Sequence, residues 1–163
     1  MRVKRSVLGM VGVTTMLLTA AFTTGSAEAA TPSDQGASAR VLVAPAAPAN
    51  ARPASLAAAS SPGISPGVRT SHVPASGSYG CDSGNLCTLV WDPTTSDWKI
   101  FYLYNCNRYS VYNWNGNGWY FDNQTGNPTS YLYNQGGGIV KSFTPGGGQQ
   151  GQDWTPVYSV RNC

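Results

Sequence analysis

The side chains that most enzymes use to transfer protons are absent from the second half of this chain. Residues 80–163 contain neither histidine nor glutamate, and the single histidine, His72, lies upstream of them. No general base that titrates near neutral pH is therefore available there. Nucleophiles that need a histidine partner are excluded as well, unless His72 folds back onto this half. We predict that the protein is not an enzyme and carries no cofactor.

Two aspartates that flank the PTTS segment are the remaining candidates for catalysis. Asp92 and Asp97 could serve as the two carboxyl groups of a glycosidase. Aspartate is also a preferred turn residue next to proline, threonine and serine. We favour the turn interpretation for both residues.

Four residues form the candidate binding site, namely Trp114, Asn115, Trp119 and Tyr120. Sugar rings pack against aromatic faces, and neighbouring amide side chains can bind their hydroxyl groups. The alternative is that these rings belong to the core, because a small domain with few aliphatic residues must bury its aromatic ones. The sequence leaves both interpretations open.

The first 29 residues are typical of a secretory signal peptide. Arg2, Lys4 and Arg5 precede an apolar stretch, and Ala27 and Ala29 supply the small residues of a cleavage site. We predict cleavage after Ala29, secretion to the extracellular space, and no membrane segment in the mature protein.

Residues 30–79 are rich in alanine, proline, serine and glycine. This composition cannot bury enough apolar surface to offset the loss of chain entropy, so we predict a disordered linker or pro-segment. Arg40, Arg52 and Arg69 offer cleavage points for a trypsin-like protease. The folded domain is predicted to span residues 80–163.

Secretion makes the four cysteines candidates for disulfide bonds. Four cysteines allow three pairings, of which we favour Cys81 with Cys87 and Cys106 with Cys163. A metal site is not expected, because no Cys-x-x-Cys spacing occurs.

Short aromatic and β-branched runs between Gly, Asn and Pro predict an all-β domain. The sequence WNGNGW predicts a hairpin between Trp114 and Trp119, whereas NQGGGI and TPGGGQQGQD are predicted to be mobile loops. Two similar pentapeptides, YSVYN from Tyr109 and YSVRN from Tyr158, suggest a unit that occurs twice. The predicted strands are 87–91, 98–104, 110–114, 119–122, 130–133, 139–143 and 157–161.

The charges of residues 80–163 nearly cancel, with four bases against five aspartates. No basic stripe is available to replace the counterions of a phosphate backbone. Nucleic acid is therefore not an expected partner.

The runs GCDSGNLC, YNCNRYSVYNW and DNQTG together resemble peptidase inhibitor family I36, small secreted proteins of filamentous soil bacteria. The resemblance covers about residues 80–163. It implies a β/γ-crystallin-like sandwich of two Greek-key motifs, with Ser110 and Ser159 near the last strand of each motif. It also implies a secreted protease inhibitor whose partner is an extracellular protease.

The resemblance transfers neither a reactive-site residue nor a calcium site. The inhibitory loop of the family's metalloproteinase inhibitor is bounded by a disulfide in the second half, where this chain has only Cys163. The calcium pattern of β/γ-crystallins is interrupted here by Cys106 and Tyr109, which removes oxygen ligands. The alternative functions are a module that binds cell-wall polysaccharide and a structural or stress-related secreted protein. In each case we expect a monomer.

Overall fold

The computed structural model describes residues 39–49, 51 and 59–163. The predicted signal peptide, residues 1–29, lies outside this part of the chain. The described residues form strands and no helix, which confirms the predicted all-β class. Accordingly, no helix in the described part is long and apolar enough to cross a membrane. The strands are β1 Arg40–Val43, β2 Gly63–Ser65, β3 Arg69–Val73, β4 Ser78–Cys81, β5 Leu86–Asp92, β6 Asp97–Leu103, β7 Arg108–Tyr112, β8 Asn117–Asp122, β9 Ser130–Tyr133, β10 Ile139–Phe143, β11 Gln149–Asp153 and β12 Ser159–Arg161.

Ten of these strands form two five-stranded antiparallel sheets. Sheet I has the order β11-β8-β5-β6-β3, and sheet II has the order β10-β9-β12-β7-β2. The quartets β5–β8 and β9–β12 are arranged alike: the first, second and fourth strands lie in one sheet, and the third strand lies in the other. This exchange of third strands ties the two sheets together.

The main core lies between the two sheets. Strand β7 illustrates its origin, because Tyr109 and Val111 are buried while the residues that alternate with them are exposed. Trp154 is fully buried, and its indole N–H donates to the carbonyl of Leu89 at 2.9 Å. Gly118 makes room for this ring, since a Cβ atom there would lie 2.3 Å from Trp154 Nε1. The other buried members of this core are Ile64, Leu86, Val90, Phe101, Leu103, Trp114, Tyr120, Leu132, Val157 and Val160.

A second core covers the outer face of sheet I. Strands β1 and β4 pair as an antiparallel ribbon. Ala44, directly after β1, and Tyr79 of β4 belong to one buried cluster with Trp98 and Ile100 of sheet I. The indole N–H of Trp98 also donates to the carbonyl of Pro45 at 2.9 Å. The ribbon is therefore an integral layer of the domain.

The prediction that residues 30–79 are disordered is wrong for the described part of this segment. Besides β1, it contains β2, which adds to β7 at the edge of sheet II, and β3, which adds to β6 at the edge of sheet I. An edge strand is held by backbone hydrogen bonds, which every residue except proline can donate. The composition of residues 30–79 therefore indicated little about whether they form strands. The folded domain includes strands that precede residue 80, the predicted start.

Two predictions about the surroundings of β8 are also wrong. The WNGNGW segment does not close a hairpin, because β7 lies in sheet II and β8 in sheet I. It instead carries the chain from one sheet to the other. Part of the TPGGGQQGQD segment, predicted to be a mobile loop, forms β11 and pairs with β8. Strand prediction from apolar and aromatic residues missed β11 because its sequence, QQGQD, contains none.

The two similar pentapeptides do not mark equivalent positions in a repeat. Ser110 lies in β7, the third strand of the first quartet, whereas Ser159 lies in β12, the fourth strand of the second. The two serines face each other as direct partners in sheet II. Ser159 thus lies in the last strand of its quartet, and Ser110 lies beside it in the adjacent strand β7.

Both favoured disulfides are present, Cys81–Cys87 and Cys106–Cys163, and no cysteine in the described part is free. The first ties the ribbon to β5 of sheet I. The second ties the connection between β6 and β7 to the residues that follow β12.

Removal of the residues before Gly80 should destabilise the domain. The shortened chain loses β2, β3 and β1, which exposes large side chains such as Trp98 and Ile100, each worth about 1.5–3 kcal/mol of burial. We expect a chain that starts at Gly80 to aggregate or to melt at least about 10 °C below one that starts at Ala39. Thermal unfolding followed by circular dichroism measures the difference, and equal melting temperatures would contradict the role assigned to the ribbon.

Candidate functional site

The connection from β6 to β7, residues 104–107, carries the chain from sheet I to sheet II. All four residues are exposed. Tyr104 stands out, because 68% of its surface is accessible to solvent. A large aromatic side chain exposed on a loop is a frequent feature of contact surfaces. We call these four residues the Tyr104 loop.

Asn162 holds the Tyr104 loop at both ends. Its side chain is completely buried. The amide nitrogen donates to the carbonyl of Leu103 at 3.1 Å, and the amide oxygen accepts from the backbone N–H of Asn107 at 3.0 Å. The backbone N–H of Asn162 also donates to the carbonyl of Asn107 at 3.4 Å. One buried residue thus satisfies the backbone groups where the loop leaves and rejoins the sheets.

The middle of the Tyr104 loop is restrained as well. Cys106 forms the disulfide with Cys163. The hydroxyl of Tyr109 donates to the carbonyl of Asn105 at 2.8 Å. Burial raises the pKa of Tyr109, so its hydroxyl stays protonated and remains a donor. The conformation of the loop is therefore set before any partner binds.

Tyr104 borders an open groove of 710 Å³. Its ring lies over Gly84, where a Cβ atom would approach Cε2 to 2.9 Å, so a side chain at that position would displace the ring. The same groove is lined by Arg69, whose guanidinium forms a salt bridge with Asp82 at 2.7 Å and lies 3.7 Å from the ring centre of Tyr102. The groove combines an exposed aromatic ring with a fixed guanidinium–carboxylate pair.

Two of the four residues predicted to bind a ligand belong to the core instead. Trp114 is only 3% exposed, and its ring centre lies 4.8 Å from that of Phe101 and 4.9 Å from that of Trp154. Tyr120 is buried and stacks on Phe143 at 4.1 Å. For these two residues the core interpretation holds, because packing between the sheets removes their rings from solvent.

The other two predicted residues, Asn115 and Trp119, come together at the surface. They line a groove of 380 Å³ whose aromatic members also include Trp91 and Trp98. Trp119 is partly exposed and borders a second depression, of 400 Å³, with Gln152. A partly exposed indole with amide side chains beside it is therefore available to a ligand.

His72 lies in β3 and not in a mobile segment, contrary to the sequence expectation. Its Nε2 is 3.2 Å from Oδ2 of Asp92, and the hydroxyl of Ser61 donates to the same carboxylate oxygen. Lys99 donates to the hydroxyl oxygen of Ser61 and to the carbonyl of Pro62, each at 2.9 Å. Because Ser61 leads into β2 of sheet II while His72, Asp92 and Lys99 belong to sheet I, this group of residues joins the two sheets. We call it the Asp92 clasp.

The Asp92 clasp contains serine, histidine and aspartate, but not in the order that activates a serine. In a catalytic triad the histidine lies between the other two and takes the proton of the serine. Here Ser61 and His72 each contact Asp92, and Ser61 donates directly to the carboxylate. This arrangement is suited to holding strands together.

Asp92 itself is saturated with hydrogen bonds. It is 1% exposed, and its Oδ1 accepts from the backbone N–H and the hydroxyl of Thr94. Burial alone would raise its pKa, but the hydrogen bonds from Ser61, Thr94 and His72 outweigh burial and lower the pKa to about 2. Its partner across the β5–β6 hairpin is Asp97. The geometry favours the turn interpretation of this pair over a glycosidase pair.

Asp122 is a second buried carboxyl group. Burial raises its pKa, while hydrogen bonds with Gln124 and Ser130 act in the opposite direction. Within residues 39–49, 51 and 59–163, no three His, Cys, Asp or Glu side chains are placed to hold a metal ion together.

No family model, curated protein or solved structure matches this chain.

Sequence reasoning missed the central residues of the site, Tyr104 and Asn162. A local signal was present in YNCN, where two asparagines surround a cysteine between two predicted strands. The role of Asn162 had no local signal, because 55 positions separate it from Asn107, whose N–H it binds.

The Asp92 clasp should make stability depend on pH in the acid range. Since its folded-state pKa, about 2, lies below the ordinary value of 3.8, the ionised form stabilises the fold above pH 4, and this contribution is lost as pH falls toward 2. Asp92→Asn should lower the free energy of unfolding by about 2 kcal/mol at pH 7. Urea unfolding at pH 7, 4 and 2 measures this effect.

The matched control is Asp97→Asn, on the opposite strand of the same hairpin. It should change stability by less than about 0.5 kcal/mol at every pH. Equal effects of the two substitutions, or a deficit of Asp92→Asn that persists unchanged at pH 2, would contradict the role of the clasp.

Proposed function

We propose that this protein is a secreted protease inhibitor that presents the Tyr104 loop to the substrate cleft of an extracellular endopeptidase. The observation that carries this proposal is the restraint of an exposed loop by Asn162 at both ends and by the Cys106–Cys163 disulfide in its middle. The two disulfides are compatible with an extracellular location.

Restraint of this kind favours tight binding and slow turnover. A loop already in its bound conformation loses little entropy on binding, so more of the contact energy appears as affinity. If the protease cleaves the loop, Asn162 and the disulfide keep the new ends close together. Their high effective concentration favours rejoining of the peptide bond over release of a product.

The side chain that the loop presents indicates the class of target. Tyr104 is the large exposed residue of the loop, and an aromatic side chain fits the apolar specificity pocket of chymotrypsin-like and subtilisin-like serine proteases. The adjoining groove with Arg69 and Asp82 offers polar contacts at the rim of such an interface.

The topology supports the same proposal. The like arrangement of the quartets β5–β8 and β9–β12 is compatible with the two Greek-key motifs of a β/γ-crystallin-like sandwich, the scaffold implied by the resemblance to peptidase inhibitor family I36. The proposed reactive residue, Tyr104, is this chain's own and does not come from that resemblance.

Substitution of Tyr104 should change which proteases are inhibited. Tyr104→Ala should weaken inhibition of an aromatic-preferring serine protease about 30-fold or more, as expected for a central contact residue. Tyr104→Arg should transfer inhibition to trypsin-like enzymes, whose specificity pocket contains a carboxylate. Inhibition constants against chymotrypsin-like, subtilisin-like, trypsin-like, thermolysin-like and papain-like enzymes measure both effects.

Two controls separate this site from general damage to the fold. Tyr158→Arg introduces the same charge at another exposed tyrosine and should leave the inhibition profile unchanged. Asn162→Ala should loosen the loop, so that the target protease cleaves the inhibitor as an ordinary substrate. Absence of inhibition by the unaltered protein at micromolar concentration, or an unchanged profile for Tyr104→Arg, would overturn the proposal.

A second candidate function is binding of neutral polysaccharide at the Trp119 groove. It is favoured by the partly exposed indole of Trp119, with Asn115 on one side and Gln152 on the other. Aromatic faces with adjacent amides suit sugar rings and their hydroxyl groups.

Retention on chitin, cellulose and peptidoglycan tests this candidate. Trp119→Ala should reduce retention at least about tenfold, because a stacked ring contributes on the order of 1.5 kcal/mol. Tyr112→Ala, which removes an exposed ring from sheet II, should have no effect. If Trp119→Ala leaves retention unchanged, the indole of Trp119 packs against the ribbon and does not bind the polysaccharide.

A further inference from the structure

The near-neutral net charge of the domain hides a separation of charges between the two sheets. The strands of sheet II contain three basic residues, Arg108, Lys141 and Arg161, and no acidic residue. The strands of sheet I contain four aspartates, Asp92, Asp97, Asp122 and Asp153, against the two bases Arg69 and Lys99. One side of the sandwich is therefore basic although the chain as a whole is balanced.

Two of the three bases lie on the outer face of sheet II. Residues that face each other in adjacent antiparallel strands point to the same side of the sheet. Tyr131 faces Arg161, which faces Arg108, and this row crosses three strands, or about 10 Å. The neighbouring row contains Tyr133, Ser159 and Ser110. We call these six residues the tyrosine–arginine face.

The face brings aromatic rings and guanidinium groups together. Tyr131 and Tyr133 lie with their ring centres 6.1 Å apart and their planes at 27°. The guanidinium of Arg108 lies 4.0 Å from the ring centre of Tyr133, and its Nε donates to the hydroxyl of Ser159 at 3.0 Å. Arg108 and Arg161 are exposed, and neither has an acidic partner among the described residues.

The opposition of Arg108 and Arg161 is unfavourable in the isolated domain. Like charges directly opposite each other in a strand pair destabilise a sheet. The repulsion is removed when an anion binds both guanidinium groups, each of which can bind a carboxylate or a phosphate in bidentate fashion. The positive charges of Arg108 and Arg161 therefore favour an anionic ligand on this face.

We propose that the tyrosine–arginine face binds an anionic polysaccharide whose sugars carry carboxylate or phosphate groups. The arginines bind the acidic groups, the tyrosine rings contact the faces of the sugars, and the serine hydroxyls are small enough to let a flat chain lie across the sheet. Duplex nucleic acid requires a long basic stripe, which two arginines cannot provide, whereas an anionic polysaccharide does not require one. The proposal does not depend on the Tyr104 loop or on inhibition of a protease.

The test measures binding of the full secreted chain to polygalacturonate, whose sugars carry carboxylates, and to dextran phosphate, whose sugars carry phosphates, with neutral dextran as the control. We expect binding to one or both anionic polymers and none to dextran. Arg161→Gln should weaken binding about tenfold, as expected for loss of a charged hydrogen-bond partner. Binding should also weaken as NaCl is raised from about 50 to 200 mM.

Lys141→Gln provides the matched control. It removes the same charge from the same sheet, but Lys141 lies over the ring of Tyr120 and away from the face. Affinity within twofold of the unaltered protein is expected for this variant. Melting temperatures identify a folding defect, and Arg161→Gln should melt at or above the temperature of the unaltered protein because the repulsion is gone.

The outcomes distinguish the possible ligands. Binding to polygalacturonate alone identifies carboxylate as the recognised group, binding to dextran phosphate alone identifies phosphate, and binding to both identifies their shared charge. Equal losses for Arg161→Gln and Lys141→Gln would overturn the proposal, since net charge alone would then explain binding. Binding to duplex DNA or polyglutamate as tight as to the polysaccharides, or no binding to either polysaccharide, would overturn it as well.

Discussion

The buried amide of Asn162 is the constraint on which the candidate site depends. It makes its hydrogen bonds only when the end of β6, the start of β7 and the segment after β12 meet at one point. A buried polar group left without partners costs about 1–3 kcal/mol, so states that open the Tyr104 loop are disfavoured by the core as well as by the disulfide. The loop derives its rigidity from the junction between the sheets, and its exposed tyrosine is therefore held in a defined place.

The strands that precede residue 80 complete this scaffold. Without β2 and β3, both β7 and β6 would be exposed sheet edges, which pair readily with other chains. The Asp92 clasp then connects the segment before β2 to sheet I through an ionised carboxylate and the donors around it. One edge of each sheet is thus formed by a segment of low apolar content, while the aromatic residues of the later strands fill the interior.

The two sheets differ in what lies on their outer faces, and this difference separates the candidate surfaces. The outer face of sheet I carries the ribbon of β1 and β4, so its large rings are mostly buried and only Trp91 and Trp119 remain partly open. No such layer lies on sheet II among the described residues, and its outer face carries arginines and tyrosines. The Tyr104 loop crosses between the sheets. A substitution in the Tyr104 loop, in the Trp119 groove or in the tyrosine–arginine face therefore does not directly change the other two surfaces.

Local patterns in the sequence were sufficient for the all-β class, for the bounds of β9 and β10, and for the core of most later strands, because alternation and turn residues act over a few positions. The disulfide pairing favoured from the sequence, one of the three that four cysteines allow, is the one present in the structure. Only the tertiary structure decided that Trp114 is buried while Trp119 is partly open, that β7 and β8 belong to different sheets, and that His72 reaches Asp92. The physical reason is that these features depend on pairing between distant strands. Backbone N–H and C=O groups make this pairing, and nearly every residue carries both, so the residue types along the chain say little about which strands will pair.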